Sequence, residues 1–341
     1  MATIRTERAE VLWAAESTFG VQAASGYARF GIHDTIDVPD PEFGWEPHFG
    51  VFSKRDRLTI LRGPATFRGS IPDIRILGGL TSFLTTHVIG TPTPPSLVSP
   101  FTLFTSYRDT DNSRQLNRYF VGGKVNRATL SAVEGQELRL GVDEMLFLQN
   151  INFRSGNDPG YSGGVAAAAT DPGASATGRF LFAQGAVTIA GISFPRIRRF
   201  SLSMDNQIEQ RYYVQRDATT GVLHPNDLIE GRRSWRLDID VDIVNPNSGG
   251  DLELWDFLMN QGAAAAGNAG MTIGGQVVLQ FQQAGSGEGS TVLTLTCGGT
   301  PSVTNPAGVL VSAPHSLPAP PVGVVTVTGG FDINQASISV T

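Results

Sequence analysis

Apolar and polar side chains alternate with a period of two along most of this chain, the spacing of strands buried on one face. Residues 236–243 show it most clearly: Leu237, Ile239, Val241 and Ile243 fall on one face, and Arg236, Asp238, Asp240 and Asp242 on the other. Such a strand has one face in a core and one wet, acidic face. The same pattern predicts strands over 57–62, 65–71, 101–107, 124–131, 137–142, 186–192, 199–206, 276–282, 291–297, 322–328 and 336–340. Helical spacing is rare. Residues 251–260 predict one helix, with Leu252, Trp255 and Met259 on one side, Asp251 and Glu253 near the positive end of the dipole, and Gly262 as a stop. A second, interrupted by Gly78 and Gly79, is expected over 73–86. The chain reads as mainly β, a β-rich α+β protein.

The order of elements occurs twice. A strand pair (57–71), a helix (73–86), a strand (101–107) and a hairpin turning at Glu134-Gly135 make up the first half. A long strand (233–244), a helix (251–260) and four further strands make up the second. Between them, residues 155–178 are rich in Gly and Ala and carry two Asp-Pro turns. Segments of that composition form long loops or linkers. The expected organisation is one β fold over 1–155, a linker over 156–178 and a second β fold over 179–341. Residues 91–100, with four prolines, predict a stiff extended connector.

Composition narrows the function. Only 16% of the 341 residues are charged, against about 25% in ordinary soluble domains. That suits a subunit largely covered by other subunits. Residues 171–341 hold 14 acids and 9 bases, and no Lys or Arg follows Arg236. A chain that gripped nucleic acid would need a basic stripe to displace phosphate counterions. One cysteine, Cys297, and five scattered histidines give no disulfide and no metal-ligand spacing, so neither a metal nor a cofactor is expected. Glu7, Glu10 and Glu16 stand where a signal peptide would be apolar, and no run of about 18 apolar residues predicts a membrane span. Synthesis and assembly in a cytoplasm are therefore expected.

One string has catalytic spacing. Gly160-Tyr161-Ser162-Gly163-Gly164 fits the Gly-x-Ser-x-Gly elbow of serine hydrolases. That elbow needs a strand running straight into a helix, and Asp158-Pro159 and Asp171-Pro172 interrupt both sides. No enzymatic activity is expected. Trp13, Trp45, Trp235 and Trp255 read as core or contact anchors, and Cys297 as a small buried apolar residue. The Asp238, Asp240, Asp242 row has an Asp-x-Asp-x-Asp spacing, but lacks the glycine and distal glutamate of a calcium loop.

Three strings, taken in order, resemble the tail tube proteins of long-tailed siphophages. Glu16-Ser17-Thr18-Phe19-Gly20-Val21 is similar to the short Glu-x-x-x-Gly stretch near the family's N-terminus. Gly122-Gly123-Lys124-Val125-Asn126-Arg127-Ala128-Thr129-Leu130-Ser131 looks like its Gly-x-Lys-Val-Asn strand, and Phe200-Ser201-Leu202-Ser203-Met204-Asp205-Asn206 its Phe-Ser-Leu-x-Ile-Asp-Asn strand. The Gly231-Arg232-Arg233 turn leads into the acidic strand.

The resemblance implies a virion structural protein of the tail. Each fold would be a β-sandwich-like barrel with a flanking helix, and six folds would form a ring around a channel. This chain has about twice the usual length, so the resemblance implies two tandem folds per chain and trimeric, pseudo-hexameric rings. Rings would stack into a tube, contact other tail proteins, and let the genome pass without specific binding. Asp238, Asp240 and Asp242 are the candidate lumen-facing row, and Arg196, Arg198, Arg199, Arg232 and Arg233 the candidate contacts between subunits. Two other readings compete. One is another β-rich virion protein, such as a head decoration, baseplate or receptor-binding component. The other is a carbohydrate-active β-sandwich using a carboxylate pair such as Glu42 and Glu46 or Asp238 and Asp240.

Overall fold

A computed structural model of the chain describes residues 4–31, 33, 35–48, 59–90, 98–109, 115–154, 178–189, 191–193, 196–213, 223–244, 258, 272–273, 277–284, 292–297, 308–316, 325–334 and 336–340. The first half supplies β1 (Ile4–Ala15), β2 (Ala28–Arg29), β3 (Pro41–His48), β4 (Thr59–Arg75), β5 (Phe101–Asp109), β6 (Gln115–Val133), β7 (Arg139–Leu146) and β8 (Gln149–Arg154). The second supplies β9 (Arg179–Ile189), β10 (Ile192–Ser193), β11 (Ile197–Asp205), β12 (Ile208–Arg211), β13 (Asp227–Glu230) and β14 (Ser234–Ile243). Then come β15 (Thr272–Ile273), β16 (Val277–Ala284), β17 (Val292–Cys297), β18 (Gly308–Ser312), β19 (His315–Ser316), β20 (Val325–Ile333) and β21 (Ala336–Val340). The protein is mainly β, as the periodicity predicts.

Fourteen strands join in one sheet, five in a second and two in a small ribbon, β12–β13. Through the large sheet runs an unbroken antiparallel series, β3-β4-β7-β6-β11-β14-β20-β18. Its first four strands come from the first half of the chain and its last four from the second. Within each four the chain order is the same: first, second, fourth, third. Because the shift is an even number of antiparallel strands, each strand also keeps its direction. After β4 comes the helical segment; Leu258, at the corresponding place after β14, is helical and buried.

One apolar core lies against this series. Phe67, Leu140, Leu130, Leu202, Leu237 and Phe331 project into it from six of the eight strands. Val187, Val277, Leu279, Phe281 and Leu295 of the five-stranded sheet close it from the other side, with Leu80, Phe83, Leu84 and Val88 of the helical segment. Phe200 and Phe281 stack across the gap at 5.1 Å. Burying each such side chain contributes about 1.5–3 kcal/mol. A separate small cluster of Leu12, Tyr27, Phe104 and Tyr119 holds β1, β5 and the first part of β6.

Two expectations shift. The strands expected at 57–62 and 65–71 are one strand, β4, which continues to Arg75 because Ile71 and Ile74 still bury on its core side. The helix expected over 73–86 therefore starts later. It is a composite of a 3-10 turn (Gly78–Leu80), one α turn (Thr81–Phe83) and a π-helical stretch (Leu84–Ile89), ending at Gly90. The helix expected over 251–260, apart from Leu258, and the loop at 155–177 with its Gly-x-Ser-x-Gly string lie outside the described residues.

Candidate functional site

Alternation gives the eight-strand series a polar face opposite its core. β6 presents Arg127, Thr129 and Ser131; β7 presents Arg139, Gly141 and Asp143; β11 presents Arg199, Ser201, Ser203 and Asp205. β14 adds Arg236, Asp238, Asp240 and Asp242, and β20 adds Thr326, Thr328, Gly330 and Asp332. Ser, Thr and Gly alternate there with charged side chains, most of which are held by neighbours. Asp240 receives Arg199 Nε at 2.9 Å and the Thr328 hydroxyl at 2.7 Å. Asp242 receives the Thr326 hydroxyl at 2.7 Å and faces Arg198 at 3.8 Å. Asp238 accepts from Arg236 Nε at 3.1 and 3.2 Å, a hydrogen bond that raises the guanidinium's pKa. Thr129 donates to Asp143 at 2.8 Å, and Arg139 to Asp73 of β4 at 2.6 Å.

The acidic row and part of the arginine set thus meet on one surface, as partners. Carboxylates outnumber guanidiniums there, but they do not form the bare wall that the β14 sequence alone suggests. Two hollows open on this face. One, of about 930 Å³, lies among Arg127, Asp143, Asp205, Arg232, Arg236 and Asp332. The other, of about 460 Å³, lies among Glu134, Arg198, Arg199, Asp240 and Thr326. Arg196 is exposed, and its carbonyl accepts the Asp242 N–H at 3.0 Å. Arg233 turns inward instead. It donates to the Ile89 carbonyl at 2.8 Å and lies 3.7 Å from Glu230, and burial lowers its pKa.

The three strings singled out in the sequence converge behind this face. β6 leaves the β5 and β8 side and joins β7 and β11 at Gly122-Gly123. Gly122 sits at φ +68°, and a Cβ on it would fall 2.6 Å from Leu148. The buried Glu16 carboxylate fixes this bend, accepting the Gly122 N–H at 2.8 Å, the Thr102 hydroxyl at 2.8 Å and the Gly20 N–H at 2.9 Å. Burial raises the Glu16 pKa against these bonds. Lys124 reaches Glu230 at 2.9 Å and lies over the Phe19 ring at 5.1 Å. Glu230 also takes the Val98 N–H at 3.1 Å. Asn126 accepts the Ile208 N–H at 2.6 Å, and the buried Asn206 donates to the Val125 carbonyl at 2.9 Å. These strings thus supply side chains that fasten separate strands and loops to one another.

Glu230 and Asn126 carry much of this junction and were not predicted as functional. Their partners lie 106 and 82 residues away, beyond any sequence period. Trp13 and Trp235 are in the core, and Cys297 is buried with its thiol pushed up to about 12 by burial. Glu42 is exposed on β3, while the Trp45, Glu46 and Trp255 side chains lie outside the described residues. Among the described residues no cluster of three His, Cys, Asp or Glu could hold a metal ion, and no helix is long and apolar enough to cross a membrane.

Comparison with curated proteins finds no match. A family model described as phage tail tube protein matches residues 6–317.

Proposed function

This chain belongs to the phage tail tube protein family, and on that premise we propose that its polar sheet face lines the channel of a tube built from stacked rings. It is a structural component of the virion tail. The repeated four-strand order supports two tandem tube folds per chain. A shift of four strands that preserves direction is what rotation about a channel axis produces. Three chains would then supply six folds to a ring, assembled in the host cytoplasm before joining other tail proteins.

The observation that carries this reading is the polar face itself. A conduit for DNA must neither hold phosphates nor expose apolar surface. Arg199 and Arg236 are already held by Asp240 and Asp238. They cannot act as a free basic stripe, whose counterion exchange with phosphates would make DNA stick. The surplus carboxylates repel the duplex, while Ser, Thr and Gly keep the wall smooth.

Negative-stain microscopy of the concentrated protein tests the reading. Hollow rods with a regular axial repeat are expected. A protein that stays monomeric under all conditions contradicts it.

A further inference from the structure

We infer that the polar face is divided in charge between the two halves of the chain, and that duplex DNA passing along it runs against β4, β7 and β6 rather than β11, β14 and β20. The inference rests on the channel reading above and names the part of the wall that meets the phosphates.

The first argument is position. β4 holds the place in the first four strands that β14 holds in the second. β14 carries Arg236 and three outward carboxylates, Asp238, Asp240 and Asp242. β4 carries Arg68 and Arg75 with one carboxylate, Asp73. Their neighbours continue the contrast. β6 and β7 add Arg127, Arg139, Asp143 and Glu144, whereas β11 and β20 add Arg198, Arg199, Asp205 and Asp332. Over these strand residues the first half has four guanidiniums for three carboxylates, and the second has three for five.

The second argument is what holds the carboxylates. In the first half they are met by charge: Arg68 and Arg127 flank Glu144 at 3.6 and 3.2 Å, and Arg139 donates to Asp73 at 2.6 Å. In the second half much of the holding is neutral. Asp240 and Asp242 take the Thr328 and Thr326 hydroxyls, and Asp205 takes the Gln207 N–H at 2.8 Å. A hydroxyl or an amide orients a carboxylate but leaves its charge in place. The surplus therefore persists as a repulsive field over β14 and β20, while charges over β4, β7 and β6 cancel at short range. Arg68 and Arg127 share one carboxylate and keep 57% of their side-chain surface open, so a passing phosphate meets them with little cost. In a ring of six folds the two kinds of wall alternate three times around the bore.

The test uses Ser131→Cys and Thr328→Cys in full-length protein. These positions lie on β6 and β20, three strand spacings apart. That is about 14 Å, more than the screening length of about 10 Å at 0.1 M salt. Native Cys297 is buried. In the monomer at low salt, two thiosulfonate reagents of like size are timed at each cysteine, one ending in a sulfonate and one in a trimethylammonium. Their rate ratio at one site cancels access and thiol acidity. The anionic reagent should be favoured at position 131 over position 328 by at least fivefold, and the contrast should shrink as salt rises. Equal ratios overturn the division of charge, whatever the protein assembles into. In rods, a photo-crosslinker on the same cysteines should capture a short duplex at least fivefold more often from Ser131→Cys than from Thr328→Cys. Equal or reversed yields overturn the DNA path and leave the channel reading intact. Rods that give no cross-link from either position overturn both.

Discussion

The Glu16 carboxylate accepts the backbone N–H of Gly122 at 2.8 Å, tying the end of β1 to the bend of a strand 106 residues further on. Burial raises the pKa of this carboxyl above its ordinary 4.5. The folded chain therefore keeps a proton that the unfolded chain gives up, and stability falls as pH rises through the window just above 4.5. Glu16→Gln should remove that fall. At neutral pH it should cost about 1–3 kcal/mol, because an amide NH₂ cannot accept the second backbone N–H. Denaturant titrations of both proteins from pH 4 to 8 check the sign and the size.

Gly122 and Gly135 offer a paired comparison. Both have positive φ, +68° and +76°, but a Cβ on Gly135 meets nothing within 4 Å, whereas one on Gly122 meets Leu148 at 2.6 Å. Gly135→Ala should cost only the left-handed strain, about 1–2 kcal/mol. Gly122→Ala should cost about 1–3 kcal/mol more, for overpacking. Equal losses in urea unfolding would contradict this account of the bend.

His87 is buried among Trp13, Phe83 and Phe101, with Nδ1 2.7 Å from the Ser99 carbonyl. Burial lowers its pKa from 6.5 to about 4. The unfolded chain takes up a proton between those values and the folded chain refuses it. The histidine's contribution to stability is thus complete above pH 6.5 and is lost as pH falls towards 4, at up to about 1.4 kcal/mol per pH unit. His87→Gln should lose about 2 kcal/mol less than the parent between pH 7 and pH 5, measured by chemical denaturation.

The fold class was legible because period two survives almost everywhere, and the β14 pattern from Arg236 to Ile243 reads directly as one buried and one wet face. β1 was not, because Arg5, Glu7, Arg8 and Glu10 hide its alternation. The first half of β6 was hidden by Gly122-Gly123, which reads as a turn but is a bend within one 19-residue strand. The acidic row was found, but its neutralisation was not. Arg199 and Thr328 reach Asp240 only because β11 and β20 flank β14, a pairing across as many as 88 residues of chain. The recurring strand order was half visible as a repeated list of elements; the common arrangement in space needed the pairing.

The polar face makes a prediction about DNA. Replacing Asp238, Asp240 and Asp242 together with Asn removes the carboxylates that hold Arg199 and Arg236 and leaves Arg198 with Glu134. These pairs are partly exposed, so each should contribute no more than about 1 kcal/mol to folding. Assembled rods of the triple variant should retain short duplex DNA at low salt and release it steeply as salt rises. Parent rods should retain little at any salt, and co-sedimentation reads the difference.

The most direct test is a tethered probe at Ser203, an exposed position on β11 between Thr129 and Arg236 on the polar face. Cys297 does not compete, since it is buried and its thiol is pushed up to about 12. A bulky polymer maleimide should label Ser203→Cys readily in the monomer and at least tenfold more slowly in assembled rods, where the residue faces a narrow bore. Equal labelling in monomer and rods would place this face on the outside and contradict the account.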